Sequence, residues 1–191
     1  SCSLTLYNNG RKGSVSINTF NKEQLEKAVE KAKFISQSTE SDPDQQLPDS
    51  SLHPESDVEM ELSFPKTYSD KQLRELVIET EDYALDHKDI INSEGSNFNF
   101  TSLYSVHANS NGFIGEHLKS KYCLSCVVIA KDGNSMVRDG DYSIARDPSE
   151  LVSAKSLGIE TRNKAISRVG ARKITTRKTP IIYSSEVANS L

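Results

Sequence analysis

A block of strand-forming segments between Ile90 and Ala145, cut at short intervals by Gly and Asn, constrains the fold of this chain more than any other feature. Strands are expected near 90–98, 101–109, 112–118, 122–131 and 135–145, with turn chemistry at Asn109-Ser110-Asn111-Gly112 and at Asp132-Gly133. Neighbours so close in sequence pair most cheaply as an antiparallel meander, because a parallel pair needs a crossover of a dozen or more residues. Such a sheet has an apolar face to cover.

Amphipathic helices supply the cover. Asn21 is placed to cap a helix whose Leu25, Ala28, Val29, Ala32 and Ile35 fall on one stripe, while Lys22, Glu23, Glu26, Lys27, Glu30 and Lys31 form the wet face. Ser69-Asp70-Lys71-Gln72 has the spacing of a capping box and opens a second helix, with Leu73, Leu76, Val77, Thr80 and Ala84 turned inward. A third helix is expected from Pro148-Ser149 through Leu151, Val152, Ala154, Leu157, Thr161, Ala165, Ile166 and Val169 to a stop at Gly170. Ahead of them, Leu4 to Tyr7 and Gly13 to Ile17 flank the turn Asn8-Asn9-Gly10 and read as a hairpin. Between the first two helices, Ser36 to Glu55 is polar and broken by Pro43, Pro48 and Pro54, so a linker or long surface loop is expected.

The fold class is therefore α+β, antiparallel sheets packed with amphipathic helices. Residues 1–55 form hairpin, helix and polar linker, 56–178 a helix with the sheet and the third helix, and 179–191 the start of a further, truncated domain. In that last piece Pro180-Ile181-Ile182-Tyr183 reads as a short strand before a helix starting at Ser184 or Ser185. The pattern stops at Leu191, leaving Val187, Ala188 and Leu191 without cover, as in a fragment of a longer chain.

The chemistry-bearing residues are sparse. His53, His87, His107 and His117 are 34, 20 and 10 residues apart, share no helix face, and read as dispersed surface histidines rather than a ligand set. Cys123 and Cys126 have redox-pair spacing but lie in the β-branched run Tyr122 to Ile129, where positions three apart face opposite sides. With Cys2 they make three thiols and no disulfide framework, which suits a reducing compartment. Asp132, Asp139, Asp141 and Asp147, near Arg138 and Arg146, form a candidate acid/base group, although Asp-Gly and Asp-Pro are ordinary turn chemistry. Residues 161–191 hold Arg162, Lys164, Arg168, Arg172, Lys173, Arg177 and Lys178 against the single acid Glu186. With an overall charge of −4 and no recognition motif, pairing with an acidic surface explains this stretch better than nucleic acid. No phosphate loop or nucleophile elbow occurs, and no apolar run approaches the ~18 residues of a membrane span. No catalytic, metal, cofactor-binding or substrate-binding residue is assigned.

One ordered set of segments carries more information than any of these groups. It comprises Arg11-Lys12-Gly13-Ser14, Ala108-Asn109-Ser110-Asn111-Gly112-Phe113, Ser125-Cys126-Val127-Val128-Ile129-Ala130-Lys131-Asp132-Gly133, Met136-Val137-Arg138-Asp139, Gly170-Ala171-Arg172-Lys173 and Thr179-Pro180-Ile181-Ile182-Tyr183-Ser184-Ser185-Glu186-Val187-Ala188. In order and spacing the set resembles the PmbA/TldD family, and within it the N-terminal part of the PmbA (TldE) branch. The resemblance covers nearly the whole chain. It implies a cytoplasmic role in proteolysis and peptide maturation, as the subunit of a heterodimer whose TldD-type partner carries the zinc, together with the family label of DNA gyrase modulator. The family's metal motif, His-Glu followed after three residues by His, would be expected just beyond Glu186-Val187-Ala188. Two alternatives stay open, a metallopeptidase whose metal site lies C-terminal to these residues and a peptide-binding or structural module.

Overall fold

The computed structural model describes residues 1–54, 58–133, 135–188 and 190, apart from the Glu186 side chain. Glu55 and Leu191, the expected ends of the linker and of the last helix, lie outside them. The described elements are β1 (Cys2–Asn8), β2 (Arg11–Ile17), α1 (Lys22–Ser38), α2 (Asp70–Leu85), β3 (Ile90–Ala108), β4 (Ile114–Asp132), β5 (Ser135–Ala145), α3 (Ala154–Ser167) and α4 (Ser185–Ala188). They fall into two compact units, one of residues 1–62 with 103–118, the other of 63–102 with 119–191.

In the first unit β1 and β2 pair antiparallel, with Cys2 opposite Ile17 and Asn8 opposite Arg11. The turn works because Asn9 and Gly10 both take positive φ, 52° and 72°. Helix α1 lies on the hairpin, and Gly13 lets it come close: a Cβ there would meet the Ala32 carbonyl oxygen at 2.0 Å. Asn21 caps α1 by accepting from the Gln24 N–H. The buried stripe is Ala28, Ala32 and Ser36, narrower than the sequence suggests. Leu25 and Val29, expected inside, are 40% and 41% exposed and line an apolar groove of about 760 Å³ with Leu4, Ile17 and Phe20. The helix also runs three residues, Ser36 to Ser38, into the expected linker. Beyond it the chain is held to the hairpin: Arg11 donates to the Gln37 and Thr39 carbonyls, and the Asp42 N–H to the Gly10 carbonyl.

The second unit contains most of the sheet, whose strand order is β3-β4-β5. Five expected strands are three. The breaks anticipated between 98 and 101 and between 118 and 122 do not form, because packing there outweighs the turn propensity of Asn97 and Asn99. Phe98 and Phe100 lie against the Tyr122 ring, at 6.2 and 4.7 Å between centroids. Ser120 and Tyr122 are buried and hydrogen-bonded to the crossing segment: the Tyr122 hydroxyl donates to the Phe64 carbonyl, and the Phe64 N–H donates to Ser120 Oγ. Along β4, Ser120, Tyr122, Leu124, Cys126, Val128 and Ala130 are all buried while the residues between them are not, the period-two signature of a sheet with one covered face.

That cover is α2 and α3, which join β3 and β4 in a core of Ala84, Ile90, Cys126, Val128, Ala130 and Ala165. The capping box at Ser69 and Gln72 is complete. Helix α3 starts later than its sequence suggests. Asp147 caps a 3-10 turn, Pro148–Glu150, and Ser153 is the true cap, accepting from the Ser156 N–H. A short polar side chain at each position offers an acceptor, and the chain takes both. The expected strand at Pro180 to Tyr183 is absent: residues 171–184 have no regular structure and are exposed.

Small residues set how closely the two helices approach. A Cβ on Gly158 would lie 2.4 Å from the Thr80 carbonyl oxygen and 2.7 Å from Tyr83 Cβ. In an open helix Gly→Ala stabilises by up to about 1 kcal/mol. Here Gly158→Ala should instead destabilise by about 1–3 kcal/mol, as overpacking does. A lowered urea midpoint at unchanged slope would show it, and a raised midpoint would refute the packing described.

Candidate functional site

Three of the four histidines, scattered in sequence, meet at one place in the first unit. The β3–β4 hairpin turns at Asn109, whose Oδ1 accepts from the N–H groups of Asn111 and Phe113, while Gly112 takes φ 88°. The turn swings His107 and His117 onto neighbouring strands and seats the Phe113 ring over Gly115, where a Cβ would meet it at 2.6 Å. From the other end of the unit, Asp49 caps the turn Ser50–Leu52, and Asn111 Nδ2 donates to the Pro48 carbonyl at 2.9 Å. This brings in His53. Its ring is 5.2 Å from Phe113, and that of His107 is 5.9 Å from the same phenyl.

The result is a cleft of about 1020 Å³ lined by His53, His107, His117 and Phe113, with Val58, Met60 and Ile114 at its rim. His53 Nε2 is buried and has no hydrogen-bond partner among the described residues. The described lining contains no Lys or Arg, and its carboxylate, Glu116, accepts from the Tyr104 hydroxyl. That bond holds the Tyr104 phenol above its usual range. The sequence reading of these histidines as dispersed is thus corrected, because hairpin pairing and the Pro48 contact erase their separation. His87 alone stands apart, accepting on Nδ1 from the Asp89 N–H. With Phe113 between His53 and His107, the imidazoles do not form a tetrahedral set, and among the described residues no three His, Cys, Asp or Glu side chains are grouped to hold a metal.

The other candidates take structural places. Asp139 accepts from Arg168, which caps the end of α3, at 3.1 Å, and Asp141 from Lys164 within the helix, at 2.7 Å. Asp132 accepts from the Gly170 N–H, and Asp147 from Ser149, whose hydroxyl and N–H hold its carboxyl below the usual range. Arg138 clasps Glu94 through two nitrogens, at 2.6 and 2.7 Å, and Arg146 offers its carbonyl to Ser120. Arg162 donates to the Tyr83 and Asp86 carbonyls at the end of α2. Three of the seven basic residues in the 161–191 stretch therefore pair within the chain, while Arg172, Lys173, Arg177 and Lys178 lie in the exposed segment 171–184.

Cys126 points into the core and Cys123 to the other face. Three strand residues span roughly 10 Å, beyond the ~7 Å limit between Cα atoms for a disulfide. Burial pushes the Cys126 thiol up. Under native conditions at pH 8, Cys2 and Cys123 should alkylate and Cys126 should lag by about a hundredfold or more. A Cys123–Cys126 disulfide after mild oxidation, found by mass spectrometry, would contradict the strand geometry.

Comparison with known proteins places this architecture. The profile of the PmbA/TldA metallopeptidase central domain matches residues 64–169, more than half of the chain. The chain belongs to the PmbA/TldD family. A metalloprotease PmbA homolog from Buchnera aphidicola is 36% identical over 97% of this chain and 42% of its own length. The metalloprotease PmbA of Escherichia coli is 32% identical over 98% and 42%. Among solved structures, a putative modulator of DNA gyrase from Bacteroides thetaiotaomicron superposes with a TM-score of 0.76 at 24% identity, covering 90% of this chain and 40% of that one. TldE from Thermococcus kodakarensis superposes at 0.50 and 14% identity, over 86% and 36%. These superpositions show a shared fold. The chain spans about two-fifths of the length of the PmbA relatives it matches. Among the described residues no helix is long and apolar enough to cross a membrane.

Proposed function

We propose that these residues are the peptide-holding part of a PmbA/TldE-type subunit, which cuts no bonds itself and works beside a TldD-type zinc metalloprotease in peptide maturation. The observation that carries this is the strand order β3-β4-β5, which leaves an outer edge of β3 without a strand partner among the described residues. Such an edge presents N–H and C=O groups in the spacing of an extended chain, so an unfolded peptide can add as a further strand. The opposite edge belongs to β5, whose Asp139, Asp141 and Ser143 side chains are already bonded to Arg168 at the end of α3, to Lys164 within it and to the loop before it. We therefore assign peptide addition to β3.

The kinship with PmbA relatives supports the proteolytic setting, and a cytoplasmic location suits three free thiols. In this reading the zinc is held by the TldD-type partner. Produced together, the full-length protein and a TldD-type chain should form a mixed dimer, its mass read by light scattering. Hydrolysis of an unfolded peptide should rise in the mixture and vanish with chelator, whereas this chain alone should cut nothing. Activity in the mixture equal to that of the TldD-type chain alone, or chelator-sensitive cleavage by this chain alone, would overturn the proposal.

A further inference from the structure

The Phe100 ring of β3 lies on the Tyr122 ring of β4, with 4.7 Å between centroids and 24° between planes. That separation matches the ~4.8 Å spacing of neighbouring strands, so the rings stack in the direction in which the sheet would grow. Tyr122 is fully buried, whereas Phe100 is 49% exposed. A strand added outside β3 would lie one spacing farther on and set a side chain over the outer face of Phe100. Two features single out this position. Phe98, two residues back, already has the Tyr68 ring against it at 5.4 Å and 67°, with the Lys66 ammonium 5.2 Å over Tyr68. At Gly95 the strand takes φ 101° and the N–H turns to Ser93 Oγ, which interrupts the regular edge. Between these limits, among the described residues, no backbone hydrogen bond from outside the sheet reaches 97–102.

We propose that a peptide strand added to β3 is selected by an aromatic side chain opposite Phe100, which carries the stack of Tyr122 and Phe100 one ring further. The proposal rests on the peptide-holding reading above and names its substrate class, extended segments bearing Phe, Tyr or Trp. A ring at that place gains offset stacking as well as buried apolar area. A branched aliphatic side chain gains only the area. The peptide residues on either side of the ring meet Asn99 and Thr101, which are exposed and polar, so the flanking sequence is free to vary.

The test uses a fluorescein-labelled peptide of Ser and Thr with one central Phe, and twins with Leu or Ser in its place, titrated by anisotropy against the chain. The Phe peptide should bind about tenfold or more tightly than the Ser twin, and about threefold or more tightly than the Leu twin. Phe100→Leu keeps an apolar side chain at a half-exposed site, so its circular dichroism spectrum should be unchanged. In that variant the Phe and Leu peptides should bind alike, while the Ser twin should bind as it does to the unaltered chain, since backbone pairing does not need the ring. Phe100→Tyr, which keeps a ring there, should retain the advantage of Phe over Leu. Equal binding of the three peptides, an advantage that survives Phe100→Leu, or one that is lost in Phe100→Tyr overturns this inference and leaves the strand-addition reading standing. Failure to bind any of the three overturns both.

Discussion

Everything in the second unit depends on how near α2 and α3 can come to each other. At Gly158 one helix lies almost in contact with the backbone of the other, and only then can both rest on the face of β4 that presents Cys126, Val128 and Ala130. The residues at that junction, Thr80, Ala84, Gly158, Thr161 and Ala165, are small, and each is buried. A core built from small side chains gains little area per residue, so it relies on close fit, and close fit tolerates little added volume.

Much of this was legible in the sequence where local rules and packing agree. The caps at Asn21 and Ser69, the hairpin at Asn8 to Gly10, the inward stripe ending at Thr80 and Ala84, and the opposite facing of Cys123 and Cys126 all follow from spacing alone. Legibility failed where two local signals competed or where a distant contact decided. Asn97 and Asn99 suggest a turn, but Phe98 and Phe100 beside them lie against the Tyr122 ring and the strand runs on through them. Asp147 and Ser153 are both good caps, and only the docking of Leu157 and Thr161 selects the second. Leu25 and Val29 follow helical spacing yet face a groove, since a two-stranded hairpin is too narrow to cover a full helix stripe.

The histidine cleft was hidden for a different reason. Spacing along the chain is a poor guide once a hairpin folds it back. His107 and His117 lie on either side of the Asn109 to Gly112 turn, so reading 101–109 and 112–118 as one hairpin brings them onto adjoining strands. His53 gave no such clue. Its place is fixed by the bond from Asn111 to the Pro48 carbonyl, a meeting of residues 63 apart that no pattern announces.

That long reach also sets an order of events during synthesis. The first 62 residues leave the ribosome well before the hairpin tip at 103–118 that completes their unit, and the stretch between them belongs to the other unit. Until Phe113 exists, the imidazole of His53 has no ring to lie against, and the Pro48 carbonyl has only water for a partner. The amino-terminal unit is thus born incomplete, and the hairpin that finishes it arrives on strands whose remaining length builds the second unit.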